Sequence, residues 1–175
     1  MAESDEDRPR TRIFLRGLET ADYSLRDERR RIAELPRVQH EADREWKVAG
    51  DFARNRDLVL PKDGGIQSLH VHQYELGPGA RSQRHGHQND ALFIVLEGHG
   101  HDVHDGERFE WSAGDVFVVT ADCVHQHFND GDGPARFLIF KGKPIYMALN
   151  LLHQETLEPP GRGVESGAFD VPIGT

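Results

Sequence analysis

Histidine pairs are the feature of this 175-residue sequence with the clearest chemical meaning. Eight of its 11 histidines form four His-x-His pairs, which are His70/His72, His85/His87, His99/His101 and His125/His127. On a β-strand, residues i and i+2 lie on the same face, so each pair can direct two imidazoles toward one point. Imidazole is the commonest side-chain ligand of transition metals. The pattern therefore predicts a metal site, although four pairs are too many for one small domain and most must have another role.

Two of the pairs stand in longer segments with a distinctive spacing. The first segment, HGHQNDALFIVLEG, contains His85 and His87, and a glycine precedes His85 by six residues. The second, GDVFVVTADCVHQHFN, contains His125, which follows the first glycine of the segment by 11 residues. Both segments resemble the two motifs of the cupin superfamily. The matching positions are Gly79, His85, His87, Gly98, Gly114, His125 and Asn129, whereas Thr120 and Asp122 replace the usual proline and glycine.

The first motif lacks the glutamate that binds metal in many cupins. That residue would fall at Ala91 or Leu92, and neither side chain can bind a metal. The resemblance therefore implies a site of three neutral histidines, His85, His87 and His125. Within the cupins this pattern is similar to that of the gentisate- and salicylate-type ring-cleaving dioxygenases. Those enzymes carry His-x-His-x-Gln-x-Ala-Leu, an apolar run that ends in Glu-Gly, and His-x-His-x-Asn in the second motif.

The resemblance implies an all-β cupin (jelly-roll) barrel that binds a divalent metal ion. It further implies a non-haem Fe(II) dioxygenase that uses O2 to cleave a small hydroxylated aromatic or another bidentate substrate. Three facially placed imidazoles leave up to three positions free on an octahedral ion, which suffices for a chelating substrate and O2. His127 and Asn89 share the strand face of the ligands, and Asn89 stands where that family has glutamine. We predict that both line the cavity as catalytic residues, with His127 as a proton shuttle or anion-binding group.

Other interpretations of the same residues stay open. Zn, Mn, Ni or Cu could replace Fe(II), and three histidines with a water molecule equally make a zinc site for hydration or hydrolysis. The alternative functions are a non-redox cupin (an isomerase, lyase or hydratase) and a non-catalytic cupin that binds a small molecule. For His127, the alternative is a polar residue of the barrel lining that is hydrogen-bonded to asparagine or to the backbone.

The remaining candidates carry plainer expectations. One of His70 and His72 is expected to touch the cavity, because their early strand can form part of the barrel wall. Cys123 is expected to be a small buried residue and not a thiolate ligand. Arg81 and Arg84 precede the ligand strand and are expected to be exposed surface charges. The histidines around the Asp105-Gly106 hairpin signal are expected to face solvent, namely His99, His101 and His104.

Charge and composition limit the partners. Residues 1–60 carry 13 basic and 14 acidic side chains, whereas residues 61–175 carry 8 and 16, so most of the net charge of −9 lies in the second part. An acidic functional region repels phosphate backbones, which argues against nucleic acid. No apolar run is long enough to span a bilayer and the N-terminus is charged, so we predict a cytoplasmic protein with no membrane partner.

The elements that must position the histidines are short strands. We predict a helix at 24–35, a second short helix at 38–49, and an apolar strand or helix within 144–153. The predicted strands are 66–76, 91–97, 98–104, 107–111, 116–119, 124–129 and 135–141. The domain plan is a partly helical N-terminal extension at 1–60, the cupin barrel at 61–145, and a partly disordered C-terminal segment at 146–175. Residues 1–12 are expected to be disordered, and the protein is expected to form a homodimer.

Overall fold

The computed structural model describes residues 25–50, 52–63 and 65–162. The expectation for residues 1–12 lies outside these ranges, as does the part of the predicted C-terminal segment 146–175 that follows residue 162. Helix α1 spans Leu25–Glu34 and confirms the predicted first helix. The predicted second helix is wrong, because the segment holds only the 3-10 turn Glu41–Asp43 and strand β1, Lys47–Val48. Strand β1 pairs with the following strand, and this tertiary pairing overrides the local helical tendency.

Strands account for about half of the described chain. Twelve further strands follow β1 in order: β2 Ala53–Val59, β3 His70–Leu76, β4 Ala80–Arg81, β5 Arg84–His87, β6 Ala91–Glu97, β7 His99–His104, β8 Glu107–Ser112, β9 Val116–Val119, β10 Val124–Asn129, β11 Ala135–Lys141, β12 Gln154–Glu158 and β13 Gly161–Arg162. Helix α2, Lys143–Ala148, lies between β11 and β12. None of the helices within these described ranges has the length and apolar character required to cross a membrane.

The strands form two antiparallel sheets. The first has the order β1-β2-β3-β11-β6-β9, and the second has the order β12-β5-β10-β4-β13, with β7 joining β10 to β8. Strands that are distant in the chain are therefore neighbours, as in a jelly roll. This architecture confirms the predicted all-β cupin barrel with a short N-terminal helix. Strand β2 belongs to the first sheet, although it precedes the predicted start of the barrel at residue 61, and the domain boundaries stay a prediction.

The core lies between the sheets and follows the two-residue period of the strands. In β6, Ala91, Phe93 and Val95 are buried, and their neighbours in sequence point outward. In β11 the same alternation buries Phe137 and Ile139. Phe137 contacts Phe93 edge to face, with ring centroids 6.0 Å apart. The inward faces of β6 and β11 thus combine to pack the interior beside the histidines.

One tight turn fixes the hairpin that crosses the second sheet. Asp105 and Gly106 join β7 to β8, and both have positive φ, 49° and 87°. These are the angles that a type I′ turn requires, and Asp-Gly is a favoured sequence for it. The hairpin aligns His104 opposite Glu107 and brings β7 alongside β10. The turn therefore determines which β7 side chains meet the second histidine motif.

Candidate metal centre

Three histidines from two neighbouring strands converge inside the barrel. His85 and His87 lie two residues apart on β5, so both point to the same face. His125 lies on β10, directly opposite His85 in the antiparallel pairing. One ligand atom from each histidine can be chosen so that all three atoms lie within 4.8 Å of one another. The structure therefore brings together the three residues that the sequence selected as metal ligands.

Hydrogen bonds hold each of these imidazoles in one tautomer. The Nδ1 atoms of His85, His87 and His125 lie 3.2, 2.6 and 3.0 Å from the backbone carbonyl oxygens of Gln83, Asn89 and Cys123. A carbonyl oxygen only accepts hydrogen bonds, so each Nδ1 carries the proton and donates it. Each Nε2 is then left with a lone pair for a ligand. Fixing the tautomer through the distal ring nitrogen is how proteins usually orient metal-binding histidines.

Burial keeps the cluster neutral. The pKa of His85 is lowered to about 3, chiefly by desolvation and next by the nearby His127. The pKa of His87 is lowered to about 4, chiefly by desolvation and next by the positive charge of Lys141. The pKa of His125 is also well below its usual value, chiefly because of burial. Deprotonated imidazoles are the form that binds metals, so the donor set fits a divalent ion at neutral pH.

No carboxylate completes the cluster within the described part of the chain. Ala91 occupies the expected glutamate position and is 2% exposed in the core, and Leu92 points outward. The residues that line the adjacent cavity include no aspartate or glutamate. An ion held by three neutral histidines would keep its full 2+ charge. A chelating anion would then be a favourable further ligand.

A cavity of about 450 Å³ lies beside the cluster. It is lined from the second sheet by His85, His125 and His127, and from the first sheet by His72, Tyr74, Phe93, Ile139 and Lys141. A separate, more open cleft of about 350 Å³ includes His87 among its lining residues. The cluster therefore borders two spaces, of which the cavity lined by His85 and His125 has the size of a small-molecule site.

His127 lies in the cavity wall and is held from behind by a buried carboxylate. Its Nδ1 donates to Oδ2 of Asp102 at 2.8 Å. The same carboxylate accepts hydrogen bonds from His104 Nε2 at 3.1 Å and from Trp111 Nε1 at 2.8 Å. Burial alone would raise the pKa of Asp102, but attraction to His127 and these hydrogen bonds outweigh it and lower the pKa. The predicted cavity position of His127 therefore agrees with the structure, and its Nε2 is available to exchange a proton.

Asn89 does not line this cavity, contrary to the prediction. Its side chain is 1% exposed, and its Nδ2 donates to the backbone oxygen of Asp90 at 3.0 Å. The strand ends at His87, so the two-residue alternation does not extend to Asn89. Its backbone oxygen instead accepts the hydrogen bond from His87 Nδ1 at 2.6 Å. Asn89 is thus placed to orient a histidine of the cluster and not to meet a ligand in the cavity.

Two residues of the site, Asp102 and Lys141, were not predicted from the sequence. Asp102 meets His127 only because β7 pairs with β10, a contact across 25 residues that no local pattern indicates. Lys141 could have been found, because it continues the inward series of β11 that includes Phe137 and Ile139 at a spacing of two. The predicted strand 135–141 already contained Lys141, but a lysine side chain is ordinarily expected to face solvent.

The other candidates are distributed as follows. His72 lines the cavity, as expected for one member of its pair, and Cys123 is a buried free thiol. The prediction that the hairpin histidines all face solvent is wrong for two of them. His101 is buried against Phe128, and His104 is hydrogen-bonded to Asp102, whereas His99 is exposed.

The prediction of exposed arginines is also wrong, because the side chains of Arg81 and Arg84 are mostly buried and lie 2.6 and 3.7 Å from the Glu158 carboxylate.

Comparison with known proteins supports the fold and the resemblance. Residues 72–141 match the cupin domain family, Cupin_2. The chain is 29% identical over 141 residues to a 5-aminosalicylate 1,2-dioxygenase from a Comamonas species, and the matched region covers 72% of this chain and 37% of that protein. It is 28% identical over 137 residues to a gentisate 1,2-dioxygenase from a Ralstonia species, covering 69% of this chain and 39% of that protein. The chain spans less than two fifths of the length of these relatives.

Solved structures share the same barrel. A salicylate 1,2-dioxygenase from Pseudaminobacter salicylatoxidans superposes with a TM-score of 0.57 at 22% identity, over 77% of this chain and 38% of that one. The polyketide cyclase RemF from Streptomyces resistomycificus superposes with a TM-score of 0.54 at 21% identity, over 61% of this chain and 78% of that one. The chain therefore has the cupin fold and resembles the gentisate and salicylate dioxygenases.

Proposed function

We propose that this protein is a non-haem Fe(II) dioxygenase that acts on a small bidentate substrate, such as a hydroxylated aromatic acid. The observation that carries the proposal is the set of three neutral histidines, His85, His87 and His125. Their tautomers are fixed, and they lie beside a cavity to which no described residue contributes a carboxylate. Bound Fe(II) would supply the activation of O2 and of the chelated substrate. The gentisate and aminosalicylate dioxygenases among its relatives support this choice over other metal chemistry.

The residues around the cavity have separable tasks in this proposal. His85, His87 and His125 would hold the ion through Nε2, because their Nδ1 protons are engaged by the backbone. His127 would accept the hydroxyl proton of the arriving substrate at Nε2, since Asp102 holds the other ring proton on Nδ1. The Asp102 carboxylate would stabilise the imidazolium so formed. Asn89 would act only through His87.

Oxygen consumption tests this function directly. The protein should be freed of metal, reconstituted anaerobically with Fe(II), and mixed with catechols, hydroquinones and hydroxybenzoates in an oxygen electrode. We expect O2 uptake that is stoichiometric with loss of the aromatic absorbance for at least one compound. His125→Ala is the loss-of-site control, and His99→Ala is the matched control, because His99 is exposed. Absence of O2 uptake with every member of the panel would contradict the proposal.

A second candidate is a non-redox metal-dependent cupin. The observation that favours it is the similarity to RemF, a polyketide cyclase, of which the matched region covers 78%. A three-histidine zinc site can activate water or polarise a carbonyl without O2. The same panel distinguishes the two functions, because conversion of a substrate by Zn-loaded protein under anaerobic conditions would favour this candidate.

We also infer a cytoplasmic homodimer without nucleic-acid or membrane partners. An apolar patch on the outer faces of β6 and β9 supports the dimer: Leu92, Leu96, Val116 and Val118 are 37 to 57% exposed. Strand β9 ends its sheet, so a second copy could cover the patch. Sedimentation at micromolar concentration should give a dimer for the wild type and a monomer for Val118→Asp. A monomeric wild type would contradict the inference.

A further inference from the structure

A second group of polar side chains lines the cavity from the sheet that does not carry the histidine cluster. His72 and Tyr74 lie two residues apart on β3, and Lys141 lies on the neighbouring strand β11. His72 is the Cα partner of Ile139, which stands two residues before Lys141 on the same face. All three polar residues line the cavity that His85 and His125 also line. The cavity therefore has two polar walls, and only one of them carries the cluster.

The polar atoms of this second wall lack partners in the described part of the chain. The Nδ1 atom of His72, whose side chain is 7% exposed, has no hydrogen bond. No hydrogen bond to a described residue involves the Tyr74 hydroxyl, and no described carboxylate lies within ion-pair distance of the Lys141 ammonium. Leaving buried donors and acceptors unpaired costs stability, so such groups usually have a partner. A ligand in the cavity is placed to supply a partner for the buried His72 Nδ1, and also for the Tyr74 hydroxyl and the Lys141 ammonium, which line the same cavity and are only partly buried.

The charge of the cavity identifies the kind of ligand. Among the described lining residues there is no acidic side chain, whereas Lys141 contributes a positive charge. Desolvation and, to a smaller extent, the charge of Lys143 together lower the pKa of Lys141 to about 8, so the ammonium is still the main form at neutral pH. Lys141 is also close enough to the cluster to lower the pKa of both His85 and His87. An anionic oxygen group beside the Lys141 ammonium would be stabilised.

We propose that His72, Tyr74 and Lys141 form a second anchoring subsite that binds a carboxylate of the substrate, remote from the pair of oxygens that chelates the metal. The Lys141 ammonium and the Tyr74 hydroxyl would donate to the carboxylate, with the His72 imidazole beside them. The substrate class is then a chelating hydroxy acid or diol that carries an additional carboxylate. The chelation rests on the proposed function, whereas the carboxylate subsite depends only on the second wall.

Matched ligands on a redox-inactive metal test the subsite without any turnover. Zn-loaded protein should be titrated calorimetrically with catechol and 3,4-dihydroxybenzoate, and with salicylate and 4-hydroxybenzene-1,3-dicarboxylate. Within each pair the chelating oxygens are the same, and only the second compound has the extra carboxylate. We expect the carboxylated compound to bind at least tenfold more tightly to the wild type, which is the scale of a hydrogen bond between charged groups.

Two lysine variants localise this preference. Lys141→Met keeps the length of the side chain and should remove the preference while zinc content is unchanged. Lys143→Met is the matched control, because Lys143 lies two residues farther on, outside the cavity lining, with its Nζ 3.3 Å from Gln154 Oε1. It should retain the preference. Should Lys141→Met fail to fold, Tyr74→Phe preserves the ring and should reduce the preference about threefold or more, the scale of one neutral hydrogen bond.

Several outcomes would overturn the proposal. A wild type that does not discriminate within either pair of ligands has no such subsite. An equal loss of preference in Lys141→Met and Lys143→Met would mean that the general charge of the region, and not contact with Lys141, is responsible. Failure of the dioxygenase proposal is a separate result, because it concerns O2 uptake by the Fe(II) protein, whereas ligand discrimination is measured on the Zn protein.

Discussion

Acid should destabilise the metal-free protein through its buried histidines. The pKa values of His85 and His87 are lowered to about 3 and about 4 in the folded state, from about 6.5 in an unfolded chain. As the pH falls below about 6.5, these histidines become protonated in the unfolded chain while they stay neutral in the folded cluster. The free energy of unfolding therefore decreases from pH 6.5 downward and stops decreasing only when the pH passes below the folded pKa values. Above about pH 7.5 these two residues have no effect on the pH dependence.

The size of the effect follows from the two shifts. At pH 5, about 1.5 pH units below the unfolded pKa, each histidine should lower the free energy of unfolding by about 2 kcal/mol, or about 4 kcal/mol for the pair. For a chain of this length, that corresponds to a fall in Tm of roughly 8–16 °C. His125 and His72 are shifted in the same direction by burial and add to the loss. Asp102, whose pKa is lowered, contributes only near and below about pH 4.

Thermal unfolding of protein treated with a chelator measures this effect. Tm should be recorded from pH 8 to pH 5 for the wild type and for the double variant His85→Gln/His87→Gln, which has no titrating group at either position. We expect the slope of stability against pH to be smaller in the double variant by close to two protons. His99→Gln, at an exposed position, should keep the wild-type slope. Equal slopes in the double variant and the wild type would refute the neutral, buried cluster.

Three further predictions concern metal binding and stability. His125→Ala should reduce bound metal, measured by atomic spectrometry, to a small fraction of one ion per chain, because two imidazoles hold a divalent ion poorly. His99→Ala should keep its metal, and full metal content in His125→Ala would show that His125 is not a ligand. Asp102→Asn should retain metal but lose about 2–4 kcal/mol of stability, because the three side chains that donate hydrogen bonds to Asp102 lose a charged acceptor. It should also lower kcat roughly 100-fold. An unchanged melting curve would refute the role of Asp102 as a buried charged acceptor. Gly100→Ala should cost about 3 kcal/mol or more, since its Cβ would overlap a backbone oxygen of β10, whereas Gly133→Ala, at an open position, should leave Tm nearly unchanged.

Local periodicity made most of the barrel predictable. The predicted strands 91–97, 116–119, 124–129 and 135–141 coincide with β6, β9, β10 and β11, because apolar residues in a two-residue alternation between turn signals leave little choice of structure. Strand β2 was missed, since its sequence ARNRDLV has few apolar residues and gains its place by pairing with β3. Its strand character depends on a tertiary contact and not on its own composition.

The candidate site was predictable to the extent that it is local in sequence. His85 and His87 share a strand, so their convergence follows from spacing alone. The position of His125 required the family motif, because it depends on β5 pairing with β10. Asp102 required the three-dimensional structure, since its strand meets His127 through a pairing that the sequence does not indicate.

The location of the Asp102 carboxylate, which accepts a hydrogen bond from His127, connects the fold with the proposed chemistry. In the described part of the chain the position expected for a metal-binding glutamate is occupied by Ala91, in the core, whereas Asp102 lies behind His127 and outside the cavity lining. A carboxylate on the metal would neutralise part of its charge and occupy a coordination position. Placed behind His127, the Asp102 carboxylate leaves both unchanged and instead makes an imidazole a better proton acceptor. Negative charge at the metal must then come from the ligand, and Lys141 on the opposite wall favours the same sign of charge.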